Sequence, residues 1–285
     1  MPHTHASLSR PRAAMVIGHP GHELRVHHWI EIAKPLTFVL TDGSGRGTRS
    51  RLGSTTRVLD RAGATCGDIY GCFTDAEVYA HIRTGNVAVF AEVMRGLAAA
   101  FIDQHIEYVA ADALEGFNPS HDVCRYLVNG AVALVRQRTG RVLTNFDFVL
   151  DGRPDECAES VRAEAVSLQL DAEALNRKLA AARAYPELKS ETERALARFG
   201  TVAFATELLR PVFDERQGIG VIDPDPPYYE QFGEQQVRAG FYDSVIRYRQ
   251  HVQPLVLELW RQAGLTGIAA APTVTTTSAA SGRAI

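Results

Sequence analysis

Short apolar runs alternating with longer amphipathic segments constrain what this chain can fold into more than any other feature. Ala13–Ile17 is such a run, followed by an amphipathic segment from Glu23 to Ala33; Leu36–Leu40 precedes a loop and a helical pattern over Ser54–Ala62. Asp68–Gly71 leads into a helical segment from Thr74, and Val87–Gln104 reads as a long helix. Ile106–Ala111 and Asp122–Arg138 repeat the pairing, and Phe146–Leu150 reads as one more strand. Runs that are apolar throughout suit strands buried on both faces. Strand–helix alternation then specifies parallel pairing with right-handed crossovers. The expected fold class is therefore α/β: a Rossmann-like open, mainly parallel sheet flanked by helices, with a helical C-terminal region.

From Glu156 to Leu209 the pattern is helical, rich in Ala, Glu, Leu and Arg, with Asp171 as an N-cap and Pro186 as a break. Asp223-Pro-Asp-Pro-Pro-Tyr-Tyr-Glu230 reads as an irregular loop, and Tyr242–Trp260 as a last helix interrupted or ended near Pro254. The expected organisation is a flexible N-terminus (1–12), a Rossmann-like metal-binding core (13–155), a mainly helical region packed on it (156–268) and a disordered Thr/Ser/Ala tail (269–285). There are no internal repeats.

Composition excludes several classes of function. The chain has 285 residues and a net charge of -3, and its pI is near 6.4. It therefore carries no basic footprint for nucleic acid. Cys66, Cys72, Cys124 and Cys157 lack Cys-x-x-Cys spacing, so reduced, mostly buried thiols are expected rather than a disulfide framework. The apolar stretch Ala13–Gly18 is too short for a signal segment or a membrane span. A cytoplasmic protein with a small-molecule substrate is expected, and a homo-oligomer is left open.

Chemistry enters with the turn that ends the first apolar run. Gly18-His19-Pro20-Gly21-His22-Glu23 carries two imidazoles three residues apart, at the carboxyl end of a strand, where open α/β sheets bind their ligands. His121, in Asn118-Pro-Ser-His-Asp122, follows a second strand. Strand ends distant in sequence meet along one edge of a parallel sheet, so His19, His22 and His121 can converge on one ion. Three protein ligands with an open fourth position is the catalytic zinc pattern. The other histidines fit it less well: His27 and His28 fall inside a helix, where one packs and one faces solvent, and His3 and His5 lie in the polar tail.

The order strand–His-Pro-x-x-Glu–helix, then Leu40-Thr41-Asp42-Gly43, then Asn118-Pro-Ser-His121 resembles the LmbE/PIG-L family of zinc-dependent N-deacetylases over about residues 13–150. The family motifs are His-Pro-Asp-Asp-Glu and His-Pro-Asp-His. The resemblance implies metal ligation by His19, His22 and His121, a hydrolase acting on an amide (N-acyl) bond of a small metabolite or amino sugar, and one divalent ion, zinc. It also marks two departures: the family's general base falls at Gly21, and the histidine that assists the tetrahedral intermediate falls at Asn118. His22 replaces a carboxylate ligand, which raises the charge of a metal–water unit by one and favours ionisation of that water near neutral pH. Three imidazoles equally suit iron, nickel, cobalt or copper. Two alternatives follow: a non-hydrolytic metal-dependent tailoring enzyme, and a catalytically inactive metal-binding or regulatory protein.

Other residues complete the expected site. Asp112 ends the strand before the His121 loop and is the candidate base or a group that orients a ligand, with loop capping as its other reading. Asn118 would hydrogen-bond a developing oxyanion. Glu23 is a group the family places behind the ligands, orienting them or favouring the helix N-terminus. Asp122 reads as the N-cap of the helix to Arg138, with a hydrogen bond to a metal-bound ring as its other reading. The glycine-rich loop from Thr41 to Arg51 includes Asp42, Arg46, Arg49 and Arg51; Arg49 or Arg51 would fork onto a carboxylate or phosphate of an anionic substrate. Tyr228, Tyr229, Phe232, Phe241, Tyr242 and Tyr248 either close over the pocket, pack in the core or form a dimer interface. Ser54 and Cys124 have no spacing that suggests a nucleophile triad.

Overall fold

The computed structural model describes residues 12–45, 49–220 and 222–265. Arg46, His3, His5 and the 269–285 tail lie outside the described residues. Seven strands form one sheet in the order β3-β2-β1-β4-β5-β7-β6. The strands are β1 (Ala13–Ile17), β2 (Leu36–Thr41), β3 (Thr65–Phe73), β4 (Tyr108–Asp112), β5 (Thr144–Phe148), β6 (Val166–Gln169) and β7 (Thr206–Pro211). The first five run parallel, whereas β7 pairs antiparallel with both β5 and β6. The sheet is therefore mixed and mostly parallel, and the fold is α/β.

Ten α-helices flank it among the described residues: α1 (His27–Ala33), α2 (Leu52–Ala62), α3 (Asp75–Thr84), α4 (Val87–Asp103), α5 (Pro119–Thr139), α6 (Glu159–Arg162), α7 (Ala172–Arg183), α8 (Lys189–Phe199), α9 (Tyr228–Arg238) and α10 (Gln253–Gln262). Alternation along β1 explains the layers. Ala14 and Val16 point into a core shared with α3, α4, α5 and α10, while Met15 and Ile17 meet Trp29, Ile30 and Leu59 of α1 and α2 on the other face. With both faces covered, β1 must be apolar at every position. No single described helix is long and apolar enough to cross a membrane.

The chain runs outward from β1 through β2 to β3, then returns to lay β4 on the other side of β1. The β1/β4 junction is the point where strand order reverses, and crevices outside the carboxyl ends of strands open at such points. Both histidine-bearing turns leave from these two strands.

Several expectations need correction. The segment 156–209 is not wholly helical: it holds β6 and, at its end, most of β7, which extend the same sheet. Val166-Ser-Leu-Gln169 and Thr206-Glu-Leu-Leu-Arg-Pro211 carry good helix formers, and tertiary pairing overrides so weak a preference. Residues 228–230 begin α9 instead of continuing a loop. Residues 242–247 are irregular, Tyr248–Val252 is a π-type turn, and Pro254 opens α10, where its missing N–H costs nothing. Asp122 is not the cap of α5; Asn118 is, its Oδ1 accepting the Ser120 N–H at 2.9 Å. Cys66 and Cys72 are exposed because β3 is an edge strand, while Cys124 and Cys157 are buried.

Candidate metal centre

His19 lies two residues past β1, and His22 opens a 3-10 turn (His22–Val26) that feeds α1. His121 sits in the first turn of α5, started by the cap Asn118 and by Pro119 at the first helical position. The three rings converge with centroids 5.4, 4.7 and 4.5 Å apart. One nitrogen from each falls within 4.8 Å of the others.

Carboxylates stand behind two of these rings. His22 Nδ1 is 2.9 Å from Asp112 Oδ2, which also accepts the Gly18 N–H at 2.6 Å. A Cβ on Gly18 would come within 3.0 Å of that oxygen, so a side chain there would crowd the carboxylate that caps the Gly18 N–H. His19 Nε2 is 3.1 Å from Asp75 Oδ1, at the start of α3. Burial pushes His19 below its ordinary pKa and His121 well below, so both are neutral imidazoles with a free lone pair near neutral pH. Burial alone would raise the Asp75 carboxyl. The His19 contact and hydrogen bonds, one from the Gly45 N–H, outweigh it and hold the group well below the usual carboxylate range.

Buried polar atoms are normally paired. His19 Nδ1 and His121 Nδ1 are buried without a hydrogen-bond partner. A cation answers that deficit: two neutral rings hold unspent nitrogens, and Asp112 on His22 Nδ1 leaves Nε2 as its donor atom. The residues present therefore fit a divalent ion.

The rings line a cleft of about 1330 Å³ together with Arg51, Asp75 and Asn118. Asp112, the expected base, does not line it: the side chain is fully buried, and its Oδ2 is shared by His22 and Gly18. Glu23 is likewise sealed, its Oε2 accepting the Gly21 N–H at 2.6 Å and its Oε1 the Thr55 hydroxyl at 2.8 Å; it braces the turn. Asn118 faces the cleft with Oδ1 already accepting from Ser120, which leaves its amide NH₂. Asp42 accepts from Ser44 within its own loop and is off the cleft wall. Arg51 lines the cleft, its Nε donating to the Gly43 carbonyl, whereas Arg49 is exposed and away from it. Asp122 accepts the Glu115 and Gly116 N–H groups and binds no ligand ring. His27 is buried, and His28 is partly exposed against Glu31.

Asp75 was not foreseen. Thr74 and Glu77 form a reciprocal capping box, so Asp75 reads as an ordinary acid in a first turn. Its place after a strand, on the same sheet edge as His19, was the available signal.

Gly21, where the resembled motif has a carboxylate, has φ +108°, and a Cβ there would come within 2.2 Å of Leu188 Cδ1. The space beside the histidines that a side chain would occupy is filled from the segment preceding α8.

No protein-family model and no curated protein matches the sequence. Solved structures share the overall shape distantly. A conserved Thermus thermophilus protein, TT1542, is 18% identical with TM-score 0.49, over 70% of this chain and 93% of that one. The zinc-inhibited form of the teicoplanin deacetylase Orf2 is 11% identical with TM-score 0.44, over 70% and 97%. The A40926 pseudoaglycone deacetylase Dbv21 is 18% identical with TM-score 0.42, over 71% and 97%. At such distances the chemistry has to be read from the site itself.

Proposed function

We propose that this chain is a metal-dependent hydrolase of an amide (N-acyl) bond in a small metabolite or amino sugar. One divalent ion, zinc by resemblance to the LmbE/PIG-L motifs, is held by His19, His22 and His121. The observation that carries this reading is the convergence of three imidazoles on a cleft, two of them with buried, unpaired nitrogens. A divalent ion in such a site supplies Lewis acidity to polarise a carbonyl and acidify water.

The chain's own groups do the remainder. Asp112 fixes the tautomer and plane of His22, and Asp75 stands behind His19. Asp75 also faces the cleft, but its contact with His19 holds the carboxyl too acidic for a strong general base, so its part is to orient that ring. The Asn118 amide donates toward the developing oxyanion, and Arg51 grips an anionic group of the substrate.

Metal analysis of the purified protein should give about one divalent ion per chain, and each of His19→Ala, His22→Ala and His121→Ala should lose most of it. Amine release from N-acylated amines should require the ion. Full metal occupancy in His22→Ala would overturn the three-histidine site.

A second reading, a non-hydrolytic metal-dependent tailoring enzyme, is favoured by one observation: Leu188 closes the position of the missing base. A redox metal together with no amine release from any N-acyl compound would select it.

A further inference from the structure

Phe117, Tyr228 and Phe232 form a row of rings at the mouth of the same cleft. Phe117 and Tyr228 are stacked at 5.4 Å and 5°, and Tyr228 and Phe232 at 6.3 Å and 26°. All three line the cleft, yet they remain 40%, 44% and 38% exposed. Large aromatic side chains left this open in one contiguous patch mark a binding surface more often than a packing accident. Phe117 immediately precedes Asn118 and lies four residues before His121, so the row starts at the loop that carries the metal-ligand histidine. From there it runs outward along α9.

Resting on the amide-hydrolase reading, we infer that the substrate is an aryl amide or an amide of an aryl-bearing amine, whose planar aromatic part seats against the Phe117–Tyr228–Phe232 row. Two features select this occupant. The cleft, at about 1330 Å³, exceeds the roughly 300–1,000 Å³ usual for small-molecule sites. An N-acetylated monosaccharide would leave its aromatic side wet. Near-parallel rings at these spacings also lie within the about 4.5–7 Å range of offset stacking, so another planar ring continues the row, whereas a flexible alkyl chain gains no stacking from it.

The test is binding rather than turnover, so it can be read even if hydrolysis fails. Isothermal titration would compare 2-acetamidonaphthalene, N-octylacetamide and N-methylacetamide on the metal-loaded protein and after chelation. The naphthyl amide should bind at least tenfold more tightly than either other amide. Phe117→Ala and Phe232→Ala should each weaken it fivefold or more, with metal content unchanged. Tyr228→Leu, which keeps apolar volume but no ring, should weaken it as well. Val202→Ala, at an exposed apolar residue that does not line the cleft, serves as the control and should leave it unaltered. Octyl and naphthyl amides binding equally would overturn the aromatic occupant in favour of an alkyl chain on the amine. Unchanged naphthyl binding in all three ring variants would overturn the site. Ring-dependent binding without amine release would sustain this inference while removing the hydrolase reading.

Discussion

The turn from Gly18 to Glu23 owes its geometry to contacts that no single residue advertises. Glu23 reaches back to the Gly21 N–H, Asp112 holds both Gly18 and His22, and Leu188 occupies the place of a side chain at position 21. The three clustered histidines were legible because their spacing and position after apolar runs are sequence properties. The carboxylates were legible only in part. Asp112 was placed at the right edge with base, ligand orientation and loop capping all open, since burial and hydrogen bonding are decided by the partner it meets. Asp75 belongs to a strand–helix unit two strands away from β1, which no spacing reveals. Asp112→Asn keeps the shape of the side chain but removes the charge that makes His22 a better donor to a cation. Metal affinity should fall by about 10–100-fold, the usual cost of losing such an outer partner. Competition against a chelator of known affinity measures it, and a change below twofold would show that Asp112 does not orient the ligand.

Among elements, the strands and helices up to β5 were readable because parallel strands covered on both faces leave long apolar runs. Boundaries drifted by about two residues, as at β5, which starts at Thr144 rather than Phe146. β6 and β7 were not readable, for a short antiparallel pair at a sheet's end is specified by its partners rather than by its own residues. The loop between β2 and α2 shows how an element sorts residues that the sequence leaves equivalent. Asp42 and Ser44 fix its first turn, and the Arg51 backbone N–H donates to the Asp42 carbonyl at 2.8 Å. Arg51 lines the cleft, and Arg49 is exposed. Arg51→Ala should therefore raise KM for an anionic substrate by one to two orders of magnitude, following from the loss of about 1.5–3 kcal/mol in a charge-assisted hydrogen bond. Arg49→Ala should leave KM within about twofold. Steady-state kinetics at constant metal loading compare the two, and equal effects would mean that the loop does not make this distinction.

At the scale of the whole molecule, the C-terminal region is tied into the sheet at a buried charge. Glu207 on β7 accepts the His28 and Trp29 N–H groups at 2.9 and 2.7 Å, supplying a carboxylate to the start of α1. The same carboxylate pairs with Lys178 of α7 at 3.0 Å, and the Lys178 ammonium also donates to the Arg25 carbonyl. Both side chains are almost wholly buried, and burial lowers the Lys178 pKa. One ion pair thus joins β7, α7 and the turn that carries His22, so the histidine cluster, the C-terminal helices and the sheet should unfold together. Lys178→Met preserves much of the apolar stem but strands the carboxylate. Removing one partner of a buried pair costs about 3–5 kcal/mol; because Glu207 keeps its two backbone donors, the loss should lie near the lower figure. Thermal or denaturant unfolding of wild type and variant, followed by circular dichroism and by fluorescence of Trp29 and Trp260 on opposite faces of the sheet, should give one coincident transition in each, displaced to lower stability in the variant. If Lys178→Met instead produces an early partial transition while the main one stays in place, the C-terminal helices are a separately folding layer and the ion pair merely docks them.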